Sequence, residues 1–354
     1  MWPLFALVLG LVVGSFLNVV IHRLPKGESL VYPPSRCPAC GHRLGPLDLV
    51  PLLSYLALRG RCRYCQAPIS PRYPLVEALT GGLFLLGALF YPPSPEALLV
   101  FLFLAFLVAL AFIDLDTFEL PDALTYGLLF LGLLAAWFFA FPLSFRESLD
   151  GALVAAGVLG LVAGYGNLLL RRFKEGRAEV PVGPHQVHMA ALFGALLGPG
   201  VGMALAFLAW ALSGRTGRAV VLPDRLTLPL LPLAFLLAPH LGLDFLESLR
   251  GSLLAAGGLA LAGGLYWAFR PLPEAEEEPV AMGYGDVKLL GALGAWLGPY
   301  ALLALFLGVF AGAALGLLFR KRKIPFGPYL AFGGVVAFFF GEAVWEAYLR
   351  LLGI

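Results

Sequence analysis

The chain has 354 residues, of which 60% are hydrophobic and only 13% charged, with a mean hydropathy of +0.87. Soluble domains sit near 45–50% apolar and about 25% charged, so an ordinary soluble protein is excluded. The net charge is only +2, which excludes a nucleic-acid binder working through bulk charge.

Apolar windows of about 20 residues are long enough to cross a bilayer core as helices. Such windows fall at 2–22, 75–92, 98–113, 123–141, 151–170, 222–240, 251–269, 300–319 and 326–349. Three shorter stretches, 187–197, 201–213 and 286–297, cross obliquely or lie buried against other helices. The predicted fold class is therefore all-α: a polytopic protein of about 9–12 membrane helices in a lipid bilayer. Residues 1–22 lack a basic leader and a small-residue cleavage site, and read as a retained first helix.

Lys and Arg favour cytoplasmic connections. Basic clusters stand at Arg23/Lys26, across 36–72, at 171–177, at Arg215/Arg218 and at 320–323. The opposite connections carry only Arg146 and Arg250. An external N-terminus puts every basic cluster on one side, provided that the short stretches also cross.

Residues 23–74 differ from the rest: they are polar, basic and rich in proline, and they hold all four cysteines. Cys37-Pro-Ala-Cys40 and Cys62-Arg-Tyr-Cys65 form two C-x2-C knuckles, a closed S4 set suited to structural zinc. Two disulfides are the competing reading, but the basic flanks place the segment in the reducing cytoplasm. A small polar segment builds little core of its own, and a metal staple would offset its ordering cost. His42, next to this set, reads as a surface residue.

Carboxylates at membrane depth are costly and generally line a wet or protein-lined site. Asp114 ends one span in FIDLDTFELPD, and Asp286 begins another in GYGDVKLL. If brought close, the two would not both ionise at neutral pH; one would serve as general acid and the other as general base. Helix-end aspartates are also common caps, the reading given to Asp116, Asp122 and Asp224. On residue type alone, both readings stand for Asp114 and Asp286. Lys288 either orients a carbonyl or the acid, or snorkels to the lipid surface. Glu77 either lines the same groove or pairs with an arginine. The run EAEEE at 274–278 reads as a solvated loop.

An internal repeat runs at an offset of 100: FRESLDGALVAAG (145–157) returns as FLESLRGSLLAAG (245–257), identical at nine of thirteen positions. GALLGP (194–199) returns as GAWLGP (294–299), and slightly upstream LPDALT (120–125) returns as LPDRLT (222–227) at an offset of 102. This register puts Gln186 at the place of Asp286, His188 at that of Lys288, and Thr216 near that of Asp114. The middle copy, a degenerate block at about 123–222, thus keeps packing residues and lacks both acids. His185 and His188 read as packing or capping residues, with ligation the alternative.

Together these motifs resemble the type IV prepilin peptidases, the bifunctional leader peptidase/N-methyltransferases of bacterial pilus and type II secretion systems. The resemblance rests on GSFLNVVIHRLP (14–25), the cysteine segment through PLVEALT (37–80), FIDLDTFELPD (112–122), MGYGDVKLLGALGAWLG (282–298) and PFGPYLAFGG (325–334). It reaches both ends of the chain, and the extra membrane block between the acid motifs departs from it. It implies a GxGD-type aspartyl protease in the bacterial inner membrane, with Asp114 and Asp286 as the catalytic pair near the cytoplasmic face. It implies prepilin or pseudopilin substrates cut after a glycine. N-methylation of the new terminus from S-adenosylmethionine would follow, with the cysteine segment involved. Residues 75–354 would then be the protease domain. Two rival readings are a transporter relaying protons through the two aspartates and a non-enzymatic factor docking pilins through the zinc domain.

Overall fold

Hydrocarbon offers the backbone no hydrogen-bond partner, so each apolar segment has to close its bonds internally. The computed structural model describes residues 1–174, 178–179, 181–270, 280–320 and 324–353. Arg177, residues 321–323 and the acidic run 274–278 lie outside the described residues. Among those described there are thirteen α-helices and no strand. They are α1 (Trp2–Arg23), α2 (Leu53–Ala57), α3 (Arg72–Phe90), α4 (Pro95–Thr117), α5 (Asp122–Phe139), α6 (Phe145–Leu170) and α7 (Pro184–Leu197). There follow α8 (Pro199–Thr216), α9 (Asp224–Leu237), α10 (Phe245–Ala268), α11 (Tyr284–Leu297), α12 (Tyr300–Phe319) and α13 (Gly327–Leu352).

Eight of these helices are long and apolar enough to cross a membrane: α1, α3, α4, α5, α6, α10, α12 and α13. The window 222–240 is the exception among the nine sequence spans. Its helix, α9, has 14 residues and contains Pro229 and Pro232. Proline has no N–H, so Pro232 leaves the carbonyl of Leu228 without its usual helical donor. The hydroxyl of Tyr165, on α6, donates to that carbonyl at 2.7 Å. A neighbouring helix thereby repairs the break.

The chain divides into two units. The first comprises Met1–Leu124 and Ala311–Val335, the second Thr125–Phe310 and Val336–Ile354. In the first, α1, α3 and α4 pack on one another. Gly10 and Gly14 of α1 lie so close to α3 that a Cβ would stand 2.8 Å from the Cα of Gly81 and 2.7 Å from that of Glu77. Small residues at this spacing let helix backbones approach closely. Phe84 and Phe101 stack at 4.5 Å on the adjoining face.

The second unit carries the repeat as a reciprocal packing. Helix α6 packs on α11, α10 packs on α7, and α6 and α10 cross each other. Ser148 Oγ donates to the carbonyl of Ala295 at 2.7 Å, and Ser248 Oγ to that of Ala195 at 2.6 Å. A Cβ at Gly157 would stand 2.1 Å from the oxygen of Leu253, and one at Gly257 1.8 Å from that of Leu153. Residues 100 positions apart thus make the same contact on opposite sides of one crossing.

Tyr165→Phe is expected to destabilise the chain by about 1–3 kcal/mol, because it orphans the carbonyl of the buried Leu228. Denaturant unfolding in detergent measures this. Unchanged stability would show that Leu228 has another donor.

Candidate metal centre and catalytic carboxylates

In the first unit, the sulfurs of Cys37, Cys40, Cys62 and Cys65 all lie within 4.8 Å of one another. None is in a disulfide. Each pair opens a tight turn of the same kind. Cys37 N–H donates to His42 at 2.9 Å and its carbonyl accepts from Gly41, while Cys62 N–H donates to Ala67 at 2.8 Å and its carbonyl accepts from Gln66. The left-handed residue after each pair is Gly41 (φ 70°) or Gln66 (φ 59°).

Cys37 Sγ and Cys65 Sγ are 3.8 Å apart. A tetrahedral ion with metal–sulfur bonds of about 2.3 Å sets its ligands about 3.8 Å apart, so this pair matches such a site and the four sulfurs together could hold one ion. The N–H groups of Cys40 and Ala39 pull the Cys37 thiol down to about 7, as a metal-binding thiolate needs. At Cys65, the Ala67 N–H acts downward, but burial and hydrogen bonds to the other three thiols outweigh it and push the group up to about 12. Four crowded thiols do not all ionise without a cation among them. His42 is exposed and lies against the Tyr64 ring at 3.6 Å, outside the cluster.

Asp48 joins the two knuckles. It accepts from Gly45 N–H at 3.0 Å, Arg63 Nε at 2.6 Å and Tyr64 Oη at 3.1 Å. The hydrogen bond from Arg63 is the main cause holding its carboxyl below the ordinary range, helped by the Gly45 N–H.

Asp114 also belongs to the first unit, in the last turn of α4, and is 4% exposed. Its Oδ2 accepts from Gly327 N–H at 2.7 Å, the first residue of α13. The positive end of a helix dipole is thus presented to the carboxylate. A Cβ at Gly327 would come within 2.8 Å of that oxygen, so a side chain there would crowd it. Arg72 braces the same turn: it donates to the Phe112 carbonyl at 2.8 Å, pairs with Asp116 and lies 5.2 Å from the Phe112 ring centre. Asp116 is therefore an ion-pair partner at a helix C-terminus, not the cap expected of it. Its partner lies 44 residues away in sequence, and local pattern does not reveal it.

Asp286 belongs to the second unit, half-buried in the first turn of α11. Beside it, Tyr284 donates to the Ala260 carbonyl at 2.5 Å, and Tyr126 to that of Leu261 at 2.8 Å. Lys288 Nζ is 6.0 Å from both tyrosine ring centres. The lysine is thus bracketed by aromatic faces. In the middle block, Gln186 accepts from Gly183 N–H at 2.7 Å and donates to Pro181 at 3.0 Å. Buried His185 and His188 both turn Nδ1 to Asp224 Oδ1, at 2.9 and 2.7 Å. Asp224 opens α9 and bridges the two imidazoles.

Glu77 lies on α3 in the first unit and is 9% exposed. It pairs with no arginine among the described residues; instead Oε2 accepts from Leu52 N–H at 2.8 Å. It lines a cavity of about 920 Å³ between α1, α3 and the cysteine segment, a feature that sequence reasoning missed.

A model of the bacterial peptidase A24 N-terminal domain matches residues 8–91. A model of the type IV leader peptidase family matches twice, at 101–217 and 203–317. The prepilin leader peptidase/N-methyltransferase of Aeromonas hydrophila is 34% identical over 98% of this chain and 94% of its own length. The Pseudomonas aeruginosa protein of that name is 30% identical over 99% and 94%. That of Myxococcus xanthus is 52% identical, over 43% of this chain and 46% of its own. No solved structure matches.

Replacing Cys37 or Cys62 with Ser is expected to strip bound metal from the purified protein, read by elemental analysis. Full retention would dismiss the S4 site. Asp48→Asn should loosen the two knuckles at neutral pH. Because the folded carboxyl is depressed, the wild-type advantage is whole above about pH 4 and fades as pH falls through the lowered value. Metal release followed against pH tests this, and an advantage persisting in strong acid would contradict it.

Proposed function

The chain belongs to the type IV prepilin leader peptidase family, and from that premise we propose that Asp114 and Asp286 are the catalytic pair of a membrane-embedded aspartyl endopeptidase. One observation carries this reading: the family pattern fits twice, and each fit retains one acid. The fit at 101–217 holds Asp114 but has Gln186 at the register of the second acid. The fit at 203–317 holds Asp286 but has Thr216 near that of the first. Each copy lacks what the other keeps.

The substrates are prepilins or pseudopilins, cut after the glycine that ends a short basic leader. The site faces the cytoplasm at the inner membrane of a bacterium. That depth is supported by both acids standing at helix ends and by the basic connections that favour this side. In the reaction the two carboxylates share one proton and direct a water onto the scissile carbonyl, without a covalent intermediate. The acid and base roles belong to the pair. Residues 75–354 carry this activity, with the block at about 123–222 serving as scaffold.

The second activity is N-methylation of the new terminus, as the names of the full-length relatives imply for them. S-adenosylmethionine supplies an activated methyl carbon on a sulfonium. Residues 23–74 serve this step, ordered by zinc on Cys37, Cys40, Cys62 and Cys65; sulfur-only tetrahedral donors favour zinc in a closed structural site. Family membership leaves the transporter reading without support. It also leaves the docking-factor reading without support.

Asp114→Asn and Asp286→Asn preserve size while removing the ionisable group. Each is expected to slow cleavage of a prepilin by about a hundredfold or more in purified protein. A variant cutting at the wild-type rate would remove its aspartate from the mechanism.

A further inference from the structure

The peptidase chemistry leaves one buried carboxylate unused. Glu77 stands where α3 comes closest to α1, its Cα 2.7 Å from a Cβ built on Gly14. Its Oε2 is held by Leu52 N–H, and no second hydrogen bond is made to the carboxylate among the described residues. Leu52 itself sits at φ 58°, ψ −48°, a strained conformation for a leucine. Such strain persists where surrounding structure over-determines it, and the bond to Glu77 is one such determinant.

The carboxylate looks into the cavity of about 920 Å³. One face of α1, carrying Ser15, Asn18, Val19 and His22, forms part of its wall. The inner cysteines Cys37 and Cys62 line it from the knuckles, and Tyr55 and Tyr73 add aromatic surface. Arg23 and Arg36 supply cationic groups. The volume suits a ligand of several hundred daltons. Separate anionic, cationic and aromatic elements suit a ligand that is cationic at one centre, carboxylated at another and planar at a third. An adenosyl sulfonium amino acid has these three parts.

We propose that this cavity is the methyl-transfer site, with Glu77 facing the cationic centre where donor and new amine meet. The inference rests on the N-methyltransferase reading above and adds the site and its charge logic. In the step, the ammonium of the cleaved pilin first gives up a proton, which Glu77 accepts and passes to water. The free amine then forms its bond to the methyl carbon. The carbon–sulfur bond breaks with its electron pair left on sulfur, giving a neutral thioether and a methylated ammonium. The carboxylate stands opposite positive charge before and after transfer. A metal held by the four cysteines would order one wall of the cavity and would supply no chemistry to the transfer.

Equilibrium binding to the purified full-length chain tests this, using S-adenosylmethionine and its product S-adenosylhomocysteine, a thioether without the sulfonium charge, as probes. Glu77→Gln is expected to weaken the sulfonium ligand by about tenfold or more, while thioether affinity changes by less than about threefold. Ser15→Trp, which projects an indole into the cavity, is expected to weaken both. Thermal unfolding midpoints show that each variant is folded, and either variant alone decides the matter. An unchanged preference in Glu77→Gln, or normal binding in Ser15→Trp, while the wild type methylates, overturns this site but leaves the methyltransferase reading standing. A wild-type chain that neither binds the donor nor methylates cleaved pilin overturns both.

Discussion

A polar or charged group taken out of water has to find a partner inside the protein, and the architecture of this chain follows from that constraint. Pro232 frees a carbonyl, and Tyr165 answers it from another helix. Ser148 and Ser248 spend their hydroxyls on carbonyls of the helices they pack against. Asp114 takes the first N–H of α13, and Glu77 takes the N–H of a strained leucine. The same rule that stabilises the helices therefore fixes the acids. A carboxylate bound on one oxygen by a rigid backbone donor is held in place.

The duplication shows how scaffold and chemistry separate. Residues that make the crossing of α6 and α10 are kept at an offset of 100, down to the glycines that permit close approach. Residues proposed to act on substrate are not kept in both copies. At the register of Asp286 stands Gln186, whose amide satisfies its own helix N-terminus. At that of Lys288 stands His188, drawn into a bridge with His185 and Asp224. The corresponding positions of the middle block thus have partners inside the protein.

Much of this was legible in sequence because its signals are local. Eight long apolar runs became helices of span length, and two C-x2-C pairs gathered into one cluster. The match of 145–157 to 245–257 became a reciprocal crossing. What escaped depends on distant pairing. Asp116 and Asp224 looked like caps because their partners, Arg72 and the two histidines, come from other helices. The window 222–240 looked like a span because its mean hydropathy is high even though Pro229 and Pro232 interrupt its helix. The cavity beside Glu77 was invisible, since neither the fold of the cysteine segment over α1 nor the left-handed turn at Leu52 has a periodic signature.

The central claim is that Asp114 and Asp286 work as one unit. Residues that act together lose most of their effect when either is removed, so their losses do not add. The direct measurement is residual prepilin cleavage by the double variant, Asp114→Asn with Asp286→Asn, set beside the two single variants. The account predicts that the double variant is no slower than the slower single one. A double variant slowed by the product of the two single effects would mean that the aspartates act independently, and would contradict the shared-proton mechanism.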